Sequence, residues 1–181
     1  MDDLRQRLKD LVNRNVLRGD FTLSSGKKST YYIDGKITTL SAEGAWLVGL
    51  LMARSLASDG VAAIGGLTLG ADPIVAAVAA MSYQEGKPVA AFIVRKEPKS
   101  HGTSRWIEGP SIARGARVAL VDDVITTGAS VLKAAERVVE ETGAKVVKVL
   151  AVLDRNEGGR EALAKAGYAY DPLLTLADLT L

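Results

Sequence analysis

Residues 118–130, VALVDDVITTGAS, put three chemistries within thirteen positions. Four apolar residues read as a buried strand. Two adjacent acids, Asp122 and Asp123, follow at its carboxyl end. A small turn with three hydroxyls, Thr126, Thr127, Gly128, Ala129 and Ser130, then opens a helical run. Ligands of open parallel sheets bind just beyond the carboxyl ends of the strands. A helix amino terminus placed there offers unpaired N–H groups and the positive end of a dipole, which suit a phosphate. Hydroxyls add donors, and Gly128 permits close backbone approach. Carboxylates repel a phosphate, so the acids need a further partner: sugar hydroxyls that donate to them, or a divalent metal. Together the residue types describe a site for a phosphorylated sugar.

This is not a Walker loop, because Lys133 falls too late to serve one. A second polar segment, residues 95–109, is long for a connection between strand and helix. Arg95, Lys96, Lys99, His101 and Arg105 put five potential cations in eleven residues, and His101 is the only histidine. A basic loop following a strand's carboxyl end can close over a pyrophosphate and exclude water. Its Trp106 reads equally as a latch on closure and as an anchor for the loop's base. Trp46, on a helix, reads as a core or dimer contact.

These segments resemble the orotate phosphoribosyltransferases, a family of type I phosphoribosyltransferases. The resemblance rests on the acid-acid-hydroxyl stretch and on Arg-Lys-Glu-x-Lys-x-His-Gly from Arg95 to Gly102. It rests also on FTLSSGKKSTYYID from Phe21 to Asp34, and on Asp154 with Arg155. It implies transfer of the phosphoribosyl group of phosphoribosyl pyrophosphate to orotate, with Mg2+ held mainly by ligand and water rather than by direct protein ligands. It further implies that Ile125, Thr126, Thr127, Gly128, Ala129 and Ser130 hold the 5′-phosphate, with Val124 also in the phosphoribosyl pyrophosphate site, while Asp122 and Asp123 face the ribose. Arg95, Lys96, Lys99 and His101 would grip the pyrophosphate, with Lys99, His101 and Asp123 the catalytic candidates. Orotate would meet Tyr32, Ile33, Thr126 and Arg155. A homodimer with shared sites is implied as well. Two positions depart from the family pattern: Ser24 and Leu69 stand where better-known members carry phosphoribosyl-contacting lysines, and Lys27, Lys28 and Arg54 are candidates to compensate. The competing readings are transfer to another nucleobase, or a regulator that senses phosphoribosyl pyrophosphate.

The elements that would position these residues follow from pattern. Leu4, Leu8, Leu11 and Val12 share one face of a helix over residues 2–17. Residues 21–23 and 31–34 read as a hairpin. Ser41 can cap a helix to about residue 58, and Asp72 another that has Pro73 at its first position and ends near Gly86. Strands are expected at 61–64, with Gly65 and Gly66 after it, at 89–94 in a central position, at 117–121, at 145–153 and, weakly, at 173–175. Helices are expected up to Gly143 and near residues 160–166. Alternation of this kind predicts an α/β fold, an open and mostly parallel sheet flanked by helices. A small hood of residues 1–40 would lie over the carboxyl edge, and residues 1–181 would form one domain. Cysteine is absent, which excludes disulfides and thiolate metal sites. No apolar run is long enough to span a membrane, the first residues lack a signal-peptide pattern, and a net charge of +2 is too small to indicate nucleic acid. A cytoplasmic protein with no nucleic-acid or membrane partner is the expectation.

Overall fold

The computed structural model describes residues 1–22, 28–98 and 105–181. In chain order, helix α1 (Asp2–Arg14) leads into an antiparallel hairpin of β1 (Leu17–Thr22) and β2 (Lys28–Tyr32), then α2 (Gly35–Thr39) and α3 (Ala42–Leu56). There follow β3 (Ala63–Leu67), α4 (Asp72–Gln84), β4 (Ala90–Val94), β5 (Ile107–Glu108) and β6 (Arg117–Ile125). The chain closes with α5 (Ala129–Thr142), β7 (Lys145–Asp154), α6 (Gly159–Lys165), β8 (Ala169–Thr175) and a 3-10 turn at Leu176–Asp178. The main sheet runs β5-β4-β3-β6-β7-β8 and is parallel except for β5, so the expected α/β architecture is present.

Alternation along β6 splits the core between the two faces of the sheet. Ala119 and Val121 join the apolar side chains of α1, α3 and α4 on one face. Val118 and Leu120 meet Val131, Ala134, Ala135 and Val138 of α5 on the other. Helix α1 packs its Leu8, Leu11 and Val12 into the first layer, and its Arg5 Nε donates to the Leu173 carbonyl at 2.6 Å. Ser41 caps α3 as expected, its Oγ accepting from Gly44 N at 3.1 Å. Gly143 ends α5 with φ +67°, the left-handed conformation that glycine adopts freely.

Several expected boundaries move, each for a physical reason. Gly65 and Gly66 lie inside β3 rather than after it. A side chain on Gly65 would overlap the Phe92 ring, and one on Gly66 would overlap the Val121 carbonyl and Ala71. The glycines therefore serve close packing of the sheet against itself and α4. Strand β4 is not central: only the two-residue β5 lies between it and the edge, and Ala90 is exposed. Asp72 is not the cap of α4; it is the helix's first residue, and its Oδ2 accepts from Thr68 Oγ1 at 2.7 Å. Strand β6 continues through both acids, because β7 pairs with it as far as Ile125↔Asp154. Strand β8 begins at Ala169 and runs through Pro172, which a sheet tolerates because β8 is an edge. Helix α2 was not expected. Asp34 starts it by accepting from Lys36 N at 3.0 Å.

Candidate active site

Four loops converge by chain position at the carboxyl ends of β3, β4, β6 and β7, where an open parallel sheet places its ligands. The acids of β6 form the centre. Neighbouring strand residues point to opposite faces, yet these two carboxylates come together. Asp122 Oδ1 accepts from Asp123 N at 3.0 Å, and Asp123 Oδ1 accepts from Val124 N at 2.9 Å, folding both side chains along the strand end. Gly70, in the loop after β3, lies against both. A Cβ there would stand 2.5 Å from Asp122 Oδ1 and 2.6 Å from Asp123 Oδ1. Gly35 approaches Asp123 from the α2 side, where a Cβ would stand 2.8 Å from Asp123 Oδ2. Burial, with the Asp123 charge second, pushes the Asp122 carboxyl up to about 7.

Lys36 is the cation of this centre. Its Nζ sits 2.8 Å from Asp34 Oδ1 and 3.5 Å from Asp123 Oδ2. The hydrogen bond to Asp34 raises the Lys36 pKa and lowers that of Asp34. The sequence reading missed Lys36; the Asp34-x-Lys36 spacing after the hairpin, a cap followed by a first-turn cation, was the available signal.

The hydroxyl-rich turn forms a cup of about 50 Å³ lined by Asp122 and by every residue from Val124 to Val131. Gly128 precedes α5 with φ +80°, a conformation open to glycine, and the helix's first N–H groups face the turn. Gly159 backs it so closely that a Cβ there would meet Ile125 Cγ2 at 2.6 Å and the Thr126 carbonyl at 2.7 Å.

On the next strand, Arg155 N donates to the Ile125 carbonyl at 2.9 Å. Its side chain, only 11% exposed, lies with Nε 3.0 Å from Glu157 Oε1. Both residues line a cavity of about 740 Å³ whose other walls are Asp20, Phe21, Lys28, Ser29, Thr30 and Tyr31 of the hairpin. Of the residues expected around the base, Arg155 lines this cavity. Tyr32 stands beside it, exposed, with its ring 5.7 Å from that of Phe21. Ile33 is buried in the core, and Thr126 lines the phosphate-sized cup. Tyr31, half-buried, packs against the core as well as lining the cavity, while Tyr32 on the opposite face of β2 is exposed.

Arg95 and Lys96 line a third cavity, of about 580 Å³, with Thr68, Asp72, Ile93, Glu97 and Glu108. Arg95 Nη1 lies 3.2 Å from Glu108 Oε1, and its backbone N donates to the Trp106 carbonyl at 2.9 Å. Trp106 is an anchor here: Glu141 of α5 accepts from its backbone N at 2.7 Å, and the Arg137 guanidinium stacks 4.3 Å from its ring. Lys99 and His101 lie outside the described residues. Trp46 is half-exposed on α3, with Arg7 5.4 Å from its ring. Among the described residues, no group of three or more His, Cys, Asp or Glu side chains gathers to hold a metal, and no helix is long and apolar enough to cross a membrane.

Comparison with known proteins agrees with this geometry. The family model described as phosphoribosyl transferase domain matches residues 61–167. The orotate phosphoribosyltransferase of Thermosynechococcus vestitus is 52% identical over 98% of this chain and 93% of its own length. The structure of Mycobacterium tuberculosis orotate phosphoribosyltransferase in complex with Fe(III) dicitrate superposes with a TM-score of 0.86, at 43% identity over 97% of this chain and 98% of that one. The same enzyme in complex with 5-phospho-alpha-D-ribosyl 1-diphosphate gives 0.81 at 39% identity, with the same coverage of each chain. With the acid pair, the phosphate-sized cup and the arginine-lined cavity in the family's order along one sheet edge, the chain belongs to the orotate phosphoribosyltransferase family.

Proposed function

We propose that the protein transfers the 5-phosphoribosyl group from phosphoribosyl pyrophosphate to orotate, giving orotidine 5′-monophosphate and pyrophosphate in de novo pyrimidine synthesis. The observation that carries the reading is Arg155. A largely buried guanidinium faces a cavity beside an aromatic hairpin, one strand away from the phosphate-sized cup. A planar carboxylate on a base is the partner such a group suits.

In the reaction the anomeric carbon loses its bond to the pyrophosphate oxygen and gains one to orotate N1, which gives up its proton. The transition state resembles an oxocarbenium ion, positive at the ring and negative on the leaving group. The protein's task is positioning and charge stabilisation. Residues Val124 to Ser130 hold the 5′-phosphate at the start of α5. Asp122 and Asp123 accept the ribose hydroxyls, with Asp123 beside the developing positive charge. Arg95 and Lys96, with Lys99 and His101 beyond the described residues, grip the pyrophosphate, and either of the last two can supply it a proton. The oxygen-only donors of the acid pair fit Mg2+, which Asp122 and Asp123 would hold through ribose hydroxyls and water; when bound it neutralises pyrophosphate charge. Dimerisation with sites shared between subunits, and a cytoplasmic location, complete the proposal.

The test follows pyrophosphate release from phosphoribosyl pyrophosphate and Mg2+ with orotate, uracil, adenine or hypoxanthine supplied singly. Release with orotate alone is expected. Release only with another base would overturn the substrate while keeping the chemistry. Tight phosphoribosyl pyrophosphate binding with no release would favour a sensor.

Gly70 gives an independent check of the ribose site. In Gly70→Ala the added methyl must displace both carboxylates. Phosphoribosyl pyrophosphate affinity should fall by about tenfold or more, the scale of misplacing a close charge-assisted contact. Calorimetric affinity equal to that of the wild type would place the ribose elsewhere.

A further inference from the structure

Two acids beside a ligand bearing several phosphates present an electrostatic problem that a nearby cation would ease. Of the candidate cations, Arg54 is already engaged: its guanidinium binds Glu85 in bidentate fashion at 2.8 and 3.1 Å on α3. Lys28 donates to Thr22 Oγ1 at 2.8 Å and lines the cavity around Arg155, on the base side. Lys27 lies outside the described residues.

Resting on the reading above, we infer that Lys36 is the residue that positions the acid pair for phosphoribosyl pyrophosphate, by setting a positive charge, shared with Asp34, against Asp123 from the hood side. Three observations place it there. Asp34 holds the Lys36 head at 2.8 Å and also accepts from its backbone N at 3.0 Å, so one side chain fixes both ends of the lysine. Gly35 has no side chain, and Asp123 fills the space a Cβ would need, which seats α2 directly on the end of β6. The ammonium then lies 3.5 Å from the Asp123 oxygen that accepts no backbone bond, Oδ2. A cation at this point lets Asp123 accept a sugar hydroxyl without presenting a full uncompensated charge to the neighbouring phosphates. The hood thereby contributes to the phosphoribosyl half of the site as well as to the base cavity.

The experiment compares wild type, Lys36→Met and Lys36→Arg at pH 8. Phosphoribosyl pyrophosphate binding is measured by calorimetry, orotate KM and kcat by steady-state kinetics, and Mn2+ binding without other ligand by electron paramagnetic resonance. For Lys36→Met we expect phosphoribosyl pyrophosphate to bind about tenfold more weakly, the scale of one lost close charge contact. Orotate KM should change little, and free Mn2+ should bind more tightly because the acid pair has lost its cation. Lys36→Arg should restore most of the phosphoribosyl pyrophosphate affinity. Unchanged phosphoribosyl pyrophosphate affinity in Lys36→Met would overturn the assignment. So would equal weakening of both substrates with Mn2+ binding unmoved, which is the signature of general disruption. If the wild type binds phosphoribosyl pyrophosphate yet uses another base, the proposed substrate falls while this comparison still decides the role of Lys36.

Discussion

Arg155→Ala is expected to weaken orotate far more than phosphoribosyl pyrophosphate. Truncating one partner of a desolvated, hydrogen-bonded charge pair costs about 2–5 kcal/mol, a factor of roughly 30 or more. Orotate KM should rise by at least that factor, while pyrophosphate affinity stays near the wild-type value. Glu157 sharpens the expectation. It lies 3.0 Å from the Arg155 Nε as an ion pair and so restrains the guanidinium, whose nitrogens remain available as donors to a ligand. Glu157→Gln should therefore raise orotate KM by a much smaller factor. An Arg155→Ala variant with unchanged orotate KM would remove the arginine from the base site, whatever the reaction proves to be.

The second large effect concerns stability. Asp122→Asn should melt at a higher temperature than the wild type at pH 8 and lose its advantage near pH 4. The unfolded Asp122 carboxyl ionises near 3.8, whereas burial and the Asp123 charge hold the folded one near 7. Between those values the folded state keeps a proton that the unfolded state has shed. Native stability therefore falls as pH rises through that window and levels off above about 7. Asparagine does not ionise, and its side-chain oxygen can still accept from Asp123 N, so it escapes this loss. For a chain of this size each kcal/mol recovered is worth about 2–4 °C. The same variant should bind phosphoribosyl pyrophosphate poorly, gaining stability at the expense of function. Melting curves at pH 4 and pH 8 check this; an equal offset at both would show that the acid pair carries no ionisation strain.

The phosphate cup was legible from residues 118–130 because its chemistry is contiguous: strand, acids, hydroxyls and helix start all lie within one stretch. Arg155 was legible only through family resemblance, since nothing local distinguishes an arginine at a strand end. Glu157 escaped notice, and Lys36 and the contact of Gly70 with the acids escaped because they are set across elements. Gly70 meets the acids only once β3 and β6 pair, and Lys36 meets Asp123 only once α2 docks. Tyr31 and Tyr32 show the limit of a different kind. A hairpin announces itself by pattern, but which of two adjacent tyrosines is half-buried and which exposed depends on register. Here the pairing with β1 shifts register between Arg18 and Phe21.

The backbone bond from Arg155 N to the Ile125 carbonyl has an evolutionary corollary. It pins the end of β7 to the end of β6, so the backbones that carry the sugar-phosphate anchor and the base selector run one strand spacing apart, about 4.8 Å, whatever side chain stands at position 155. Selectivity and anchoring thus sit on separate, interchangeable parts. A lineage could exchange the selector at the tip of β7 for one that reads a different ring, without retuning the apparatus on β6. Substrate range could diversify on this scaffold by a few replacements at one strand tip.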